Sequence, residues 1–214
     1  MKKLKKNVPL KSIKKWGKYL RLESRFNPNG GLRTDGLRQF FARYVLAKGF
    51  KGLKIADISP RTLRGYDAMF KVQIAYSAFD ALLEGVALFS HRSDLEYKRF
   101  KHKIINPELA NSIRANNENL ILVSISHANS TFARQLESVY RARSDNVMHI
   151  AAAIRHLSAH GLLTVNGARL DLAKNVKDLN FLADLVIKYT DDLFTEFVEV
   201  AYDSICAEFG YDGI

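Results

Sequence analysis

A capping hydroxyl followed by proline at the first helical position, Ser59-Pro60, opens a stretch to about Ser90 in which Tyr66, Phe70, Ile74, Ala78, Ala81, Leu82 and Val86 recur at helical spacing. A second such stretch, Val176 to Ala207, carries Val176, Leu179, Leu182, Leu185, Val186, Tyr189, Leu193, Phe197 and Val200, with acids between them. Two helices of this length, each with a broad apolar face, must bury those faces against helices. Gly65 and Gly85 are where the first would bend or pack closely. Between them, residues 92–143 read as further helices broken near Asn106-Pro107 and Asn116-Asn117, with no strand alternation of any length. Val165-Asn166-Gly167-Ala168 reads as a tight turn or small hairpin. The pattern predicts an all-α, up-and-down helical bundle with two long helices, plus a basic N-terminal helical arm.

With 214 residues, 47% of them hydrophobic, the chain can bury one sizeable core and carry an appendage. The appendage is residues 1–31. Leu10, Ile13, Gly17 and Leu20 form one stripe of a short amphipathic helix, with Lys11, Lys14, Lys15, Lys18 and Arg21 around it, and Asn27-Pro28-Asn29-Gly30-Gly31 ends it. Thr34 is placed to cap a helix to about Lys48, so 32–59 reads as a short helical lead-in and 60–214 as the bundle. Residues 1–25 hold ten Lys or Arg against one Glu, whereas 175–214 hold nine Asp or Glu against two Lys. A basic arm favours a polyanionic partner, with Lys11, Lys14, Lys15 and Lys18 as candidate phosphate contacts; the alternative is an arm lying on the acidic C-terminal helix of its own or a neighbouring copy. No apolar run approaches the ~18 residues of a membrane span, and Met-Lys-Lys-Leu-Lys-Lys is not followed by a secretory apolar segment. A single cysteine, Cys206, excludes an internal disulfide, reads as a buried small residue and fits a cytoplasmic setting.

The chemistry concentrates in residues 149–161, which hold three of the six histidines. At 100° per residue His149, His156 and His160 fall within about a 40° stripe, with Asp145 beside it and Arg155 at its edge. Val147, Ile150, Ile154 and Leu157 take the opposite, apolar face. Ser144 or Asp145 is expected to cap this helix and Gly161 to end it. Asp80 and Glu84, one turn apart on the first long helix, are candidate partners for Arg155, because a half-buried guanidinium needs a carboxylate; otherwise they are a solvated edge. His156 and His160 also have the spacing of a metal chelate, but His149 lies about 10 Å away along the axis, so no metal or other cofactor is expected.

Arg155-His156-Leu157-Ser158-Ala159-His160, a polar residue directly after the arginine and Gly161 beyond, resembles the Arg-x4-6-His hallmark of the HEPN domain superfamily. The resemblance covers about residues 60–208. It implies a metal-independent RNA endonuclease, or a non-catalytic relative that binds nucleic acid or protein, with two copies of the motif meeting in a homodimer. A neutralising partner protein, as in a toxin–antitoxin pair, is implied by the family only. The chemistry has its own logic: cutting RNA without metal requires a base for the 2′-hydroxyl, an acid for the leaving 5′-oxygen and a cation for the phosphorus-centred charge. Histidine as a residue type titrates near neutral pH, and arginine is a permanent bidentate phosphate ligand. His160 is therefore the expected acid or base, Arg155 the phosphate clamp, His156 an orienting group, and His149 with Asp145 outlying binding residues. Arg155 and His160 are about 140° apart around the helix, so a second copy is needed to bring both to one phosphate.

Overall fold

The computed structural model describes residues 32–89, 103–165, 169–170 and 172–209, with side chains described except at 32–38, 86–89 and 197–209. Helices α1 (Leu32–Gly49), α2 (Pro60–Phe89), α3 (Pro107–Asn116), α4 (Glu118–His127), α5 (Ser130–Tyr140), α6 (Met148–Ala159) and α7 (Ala173–Phe209) pack against one another as an all-helical bundle. Among the described residues the only β pairing is an isolated antiparallel bridge between Ile105 and Asn146. The turn near Val165 is closed by the Leu170 N–H donating to its carbonyl at 2.8 Å; residues 166–168, where a hairpin was expected, lie outside the described residues.

Local chemistry accounts for three helix starts, those of α2, α3 and α5. At α2 the Ser59 hydroxyl accepts from the Thr62 N–H at 3.1 Å, and Pro60 takes the first position, where no N–H is needed. Asn106 and Asn129 do the same for α3 and α5, each accepting at 2.9 Å from the N–H three residues on. The loop before α2 turns at Gly52, whose φ of +123° suits glycine alone and where a Cβ would stand 3.1 Å from an Asp67 carboxylate oxygen. Asp67 in turn accepts the Leu53 N–H at 2.6 Å, tying that loop to α2.

Aromatic rings join α1, α2 and α7 into one core: Phe40 lies 4.8 Å from Phe194 and 5.6 Å from Tyr44, and Phe79 lies 5.9 Å from Tyr189. Burying each such ring contributes about 1.5–3 kcal/mol. Phe40, Tyr44 and Ala47 belong to the same buried cluster as Val72, Phe79, Ile154 and Leu182. The lead-in helix is thus a wall of the bundle. It begins at Leu32, so Thr34 falls inside α1 rather than at its cap.

Two polar anchors hold the short helices. Asp178, buried on α7, accepts from the Ser112 hydroxyl at 2.9 and 3.0 Å and from the amides of Asn116 and Asn117 at 3.4 and 3.5 Å, pinning the α3–α4 junction. Arg114 donates to the Val139 carbonyl at 3.0 Å, the Ser144 carbonyl at 3.3 Å and the Asp145 carboxylate at 2.9 Å. This second anchor fixes the chain as it approaches α6.

Candidate active site

Helix α6 buries Met148, Ile150, Ala151, Ala153, Ile154 and Leu157, with Val147 buried just before it, and packs on α2. It closes in a Schellman motif: the Leu162 N–H donates to the Leu157 carbonyl at 2.9 Å, and the Gly161 N–H to the Ser158 carbonyl at 3.2 Å. Gly161 has φ +66°, the left-handed conformation this motif requires. His160 is therefore the cap residue, held at the exposed end of the helix by backbone geometry.

The N-terminal end differs from expectation. Neither Ser144 nor Asp145 caps α6, which begins at Met148 after Val147 with no side-chain cap. The Asp145 carboxylate instead pairs with Arg114 at 2.9 Å. Asn146 does the local work: its Oδ1 accepts from the Ile104 N–H at 2.9 Å and the Met148 N–H at 3.3 Å. Backbone bonds from Asn106 N–H to the Asp145 carbonyl (3.1 Å) and from Val147 N–H to the Ile104 carbonyl (3.0 Å) hold this segment against residues 104–106, which prevents an earlier helix start. The His149 ring lies 3.0 Å from the Asn146 side-chain nitrogen, committing His149 to this end of the helix.

Arg155 crosses to α2, where its Nη2 donates to Asp80 Oδ2 at 3.3 Å, with 40% and 30% of the two side chains exposed. Among the described residues this is the only hydrogen bond of Arg155. One edge of the guanidinium is anchored while the fork has unused donors. Glu84, one turn further along α2, is exposed and makes no ion pair or hydrogen bond among the described residues; the register of α6 on α2 brings Asp80, not Glu84, opposite Arg155. Such a half-exposed pair contributes at most about 1 kcal/mol to stability, so its consequence is position rather than stability.

His156 and His160 are both exposed, and their rings meet at a centroid separation of 4.6 Å with an interplanar angle of 60°. No hydrogen bond links Arg155 to either ring among the described residues. A single copy thus presents an imidazole pair and, around the helix from it, an anchored guanidinium.

Tyr76 is a neighbour that periodicity did not single out. It lies one turn before Asp80, is buried, and packs on Phe79 at 5.7 Å. Burial pushes its phenol well above the usual tyrosine value, with the Asp80 carboxylate adding to the effect and Arg155 opposing it. The i, i+4 relation to Asp80 was the available signal. Lys11, Lys14, Lys15 and Lys18 lie outside the described residues, and the side chain of Cys206 is not described.

Among the described residues no group of three or more His, Cys, Asp or Glu is arranged to hold a metal ion, and no helix is long and apolar enough to cross a membrane. No family model, curated protein or solved structure matches the chain.

Proposed function

We propose that the chain is a HEPN-like, metal-independent RNA endonuclease that works as a homodimer with a composite site around Arg155, His156 and His160. The observation that carries this reading is the placement, on the last turns of one helix, of two exposed imidazoles with an arginine whose one hydrogen bond among the described residues is to Asp80. Within one copy the two chemistries diverge around α6. Two α6 helices related by a two-fold axis would set the guanidinium of one copy against the imidazoles of the other, giving a phosphate ligand and an acid–base pair at one linkage. His160 of one copy takes the 2′-hydroxyl proton as that oxygen attacks the phosphorus, His160 of the other protonates the leaving 5′-oxygen, Arg155 neutralises the phosphorane charge, and His156 orients the phosphate or ribose. Asp80 is a positioning residue that keeps the guanidinium extended.

The test is RNA cleavage in EDTA by the full chain. Cyclic phosphate ends are expected, with loss of about 10²–10⁴-fold on His160→Ala and a comparable loss on Arg155→Ala, while far-ultraviolet circular dichroism is unchanged. Activity that requires a divalent ion overturns the mechanism. RNA binding without turnover, weakened by both substitutions, assigns the groove to a non-catalytic binding module instead.

A further inference from the structure

The imidazole pair has a second chemistry that does not depend on RNA. His156 and His160 are separated by one helical turn, about 6 Å along the axis and about 40° around it, so both project from the same side of α6. A transition-metal ion binds imidazole nitrogen at roughly 2.0–2.1 Å, which places it roughly 3.2 Å from each ring centre. For a bond angle at the ion between square and tetrahedral, the two ring centres then lie about 4.5–5.2 Å apart. The observed separation is 4.6 Å. The ring planes are inclined rather than stacked, and neither ring makes a hydrogen bond among the described residues that an ion would have to break. The Schellman motif fixes the backbone of His160 before any ion arrives, and Arg155, drawn onto Asp80, keeps its charge off that side.

We propose that His156 and His160 chelate one divalent transition-metal ion of the zinc class per chain, with water completing the coordination. His149 is not a third ligand, being engaged with Asn146 two turns away. The two-nitrogen site selects Zn²⁺ over Mg²⁺, which demands oxygen ligands. Because the bound form uses neutral imidazole, protons compete, and affinity falls as the solution is acidified. If the nuclease reading above holds, the ion ties up both the acid–base residue His160 and the orienting residue His156, so zinc is an inhibitor of cleavage rather than a cofactor; this last step alone rests on that reading.

The experiment titrates the untagged full chain with ZnCl₂ in a non-chelating buffer, following histidine ring resonances by NMR and thermal unfolding in parallel. Ring signals of His156 and His160 are expected to move together at one equivalent, with those of His127 unmoved and the unfolding temperature raised, since the ion binds the helical form. His156→Ala and His160→Ala should each weaken binding at least tenfold, and His149→Ala should leave it unchanged. Mg²⁺ should produce none of these effects. Zinc that leaves both rings unmoved, or affinity that survives both substitutions, overturns the proposal. Zinc binding at this pair in a chain that never cleaves RNA overturns the nuclease reading and leaves the chelate standing.

Discussion

Replacing Asp178 with alanine is expected to cost about 2–4 kcal/mol of folding stability. In the native chain its carboxylate is the shared acceptor for Ser112, Asn116 and Asn117 where α3 ends and α4 begins. Alanine removes the acceptor without removing the donors. The Ser112 bonds, at 2.9 and 3.0 Å to a carboxylate, supply most of the effect, since a hydrogen bond to a charged group is worth about 1.5–3 kcal/mol. The Asn117 contact is long at 3.5 Å, yet Asn117 is buried and cannot turn its amide to bulk water, so it adds on the order of 1 kcal/mol. Asn116 adds little, because it also donates to the Ser112 oxygen at 3.1 Å. Asp178→Asn keeps the shape and one acceptor oxygen and should lose roughly half as much. Urea unfolding followed by circular dichroism reads both values, with an unchanged denaturant slope marking a native-state effect. Hydrogen exchange should accelerate first in α3 and α4. An alanine variant within about 0.5 kcal/mol of the parent chain, or an asparagine variant less stable than the alanine one, refutes the anchoring role.

Three further outcomes are expected. Gly161→Ala places a side chain at φ +66° and should cost about 1–2 kcal/mol while displacing the His160 ring from His156, read by unfolding and by loss of their mutual NMR contact. Ser158→Ala should be neutral or stabilising by up to about 1 kcal/mol, because the Ser158 hydroxyl is buried without a hydrogen-bond partner among the described residues; a clear loss of stability contradicts that geometry. Burial raises the phenols of Tyr44 and Tyr76 above the ordinary value of 10.0, with Asp191 and Asp80 adding to the respective shifts. A raised folded value means stability is complete below about pH 10 and is lost as the pH rises beyond it. Tyrosinate absorbance of these two should therefore develop only together with the loss of helical circular dichroism, and their ionisation in an intact fold would contradict the burial.

The readable part of the sequence was its short-range part. Ser59-Pro60, Asn106-Pro107 and Gly161 mark helix ends because capping is settled within four residues of the cap, and the apolar face of α6 is visible at a period of 3.6. Asp145 shows where that reasoning stops. It has the right side chain and the right place for a cap, but Arg114, on another helix, holds its carboxylate, and Asn146 bonds the first turn instead. The place of α1 in the core was likewise invisible locally, since it depends on Phe40 meeting Phe194 at the far end of the chain.

For the candidate site the division is equally physical. Composition and spacing alone put two imidazoles and a guanidinium on one amphipathic helix, because helical periodicity converts sequence intervals directly into angles. Only the tertiary packing chose Asp80 over Glu84 as the partner of Arg155. One helical turn separates the two acids, so that choice is made by the axial register of α6 on α2, a quantity summed over every buried contact between the helices and carried by no single residue.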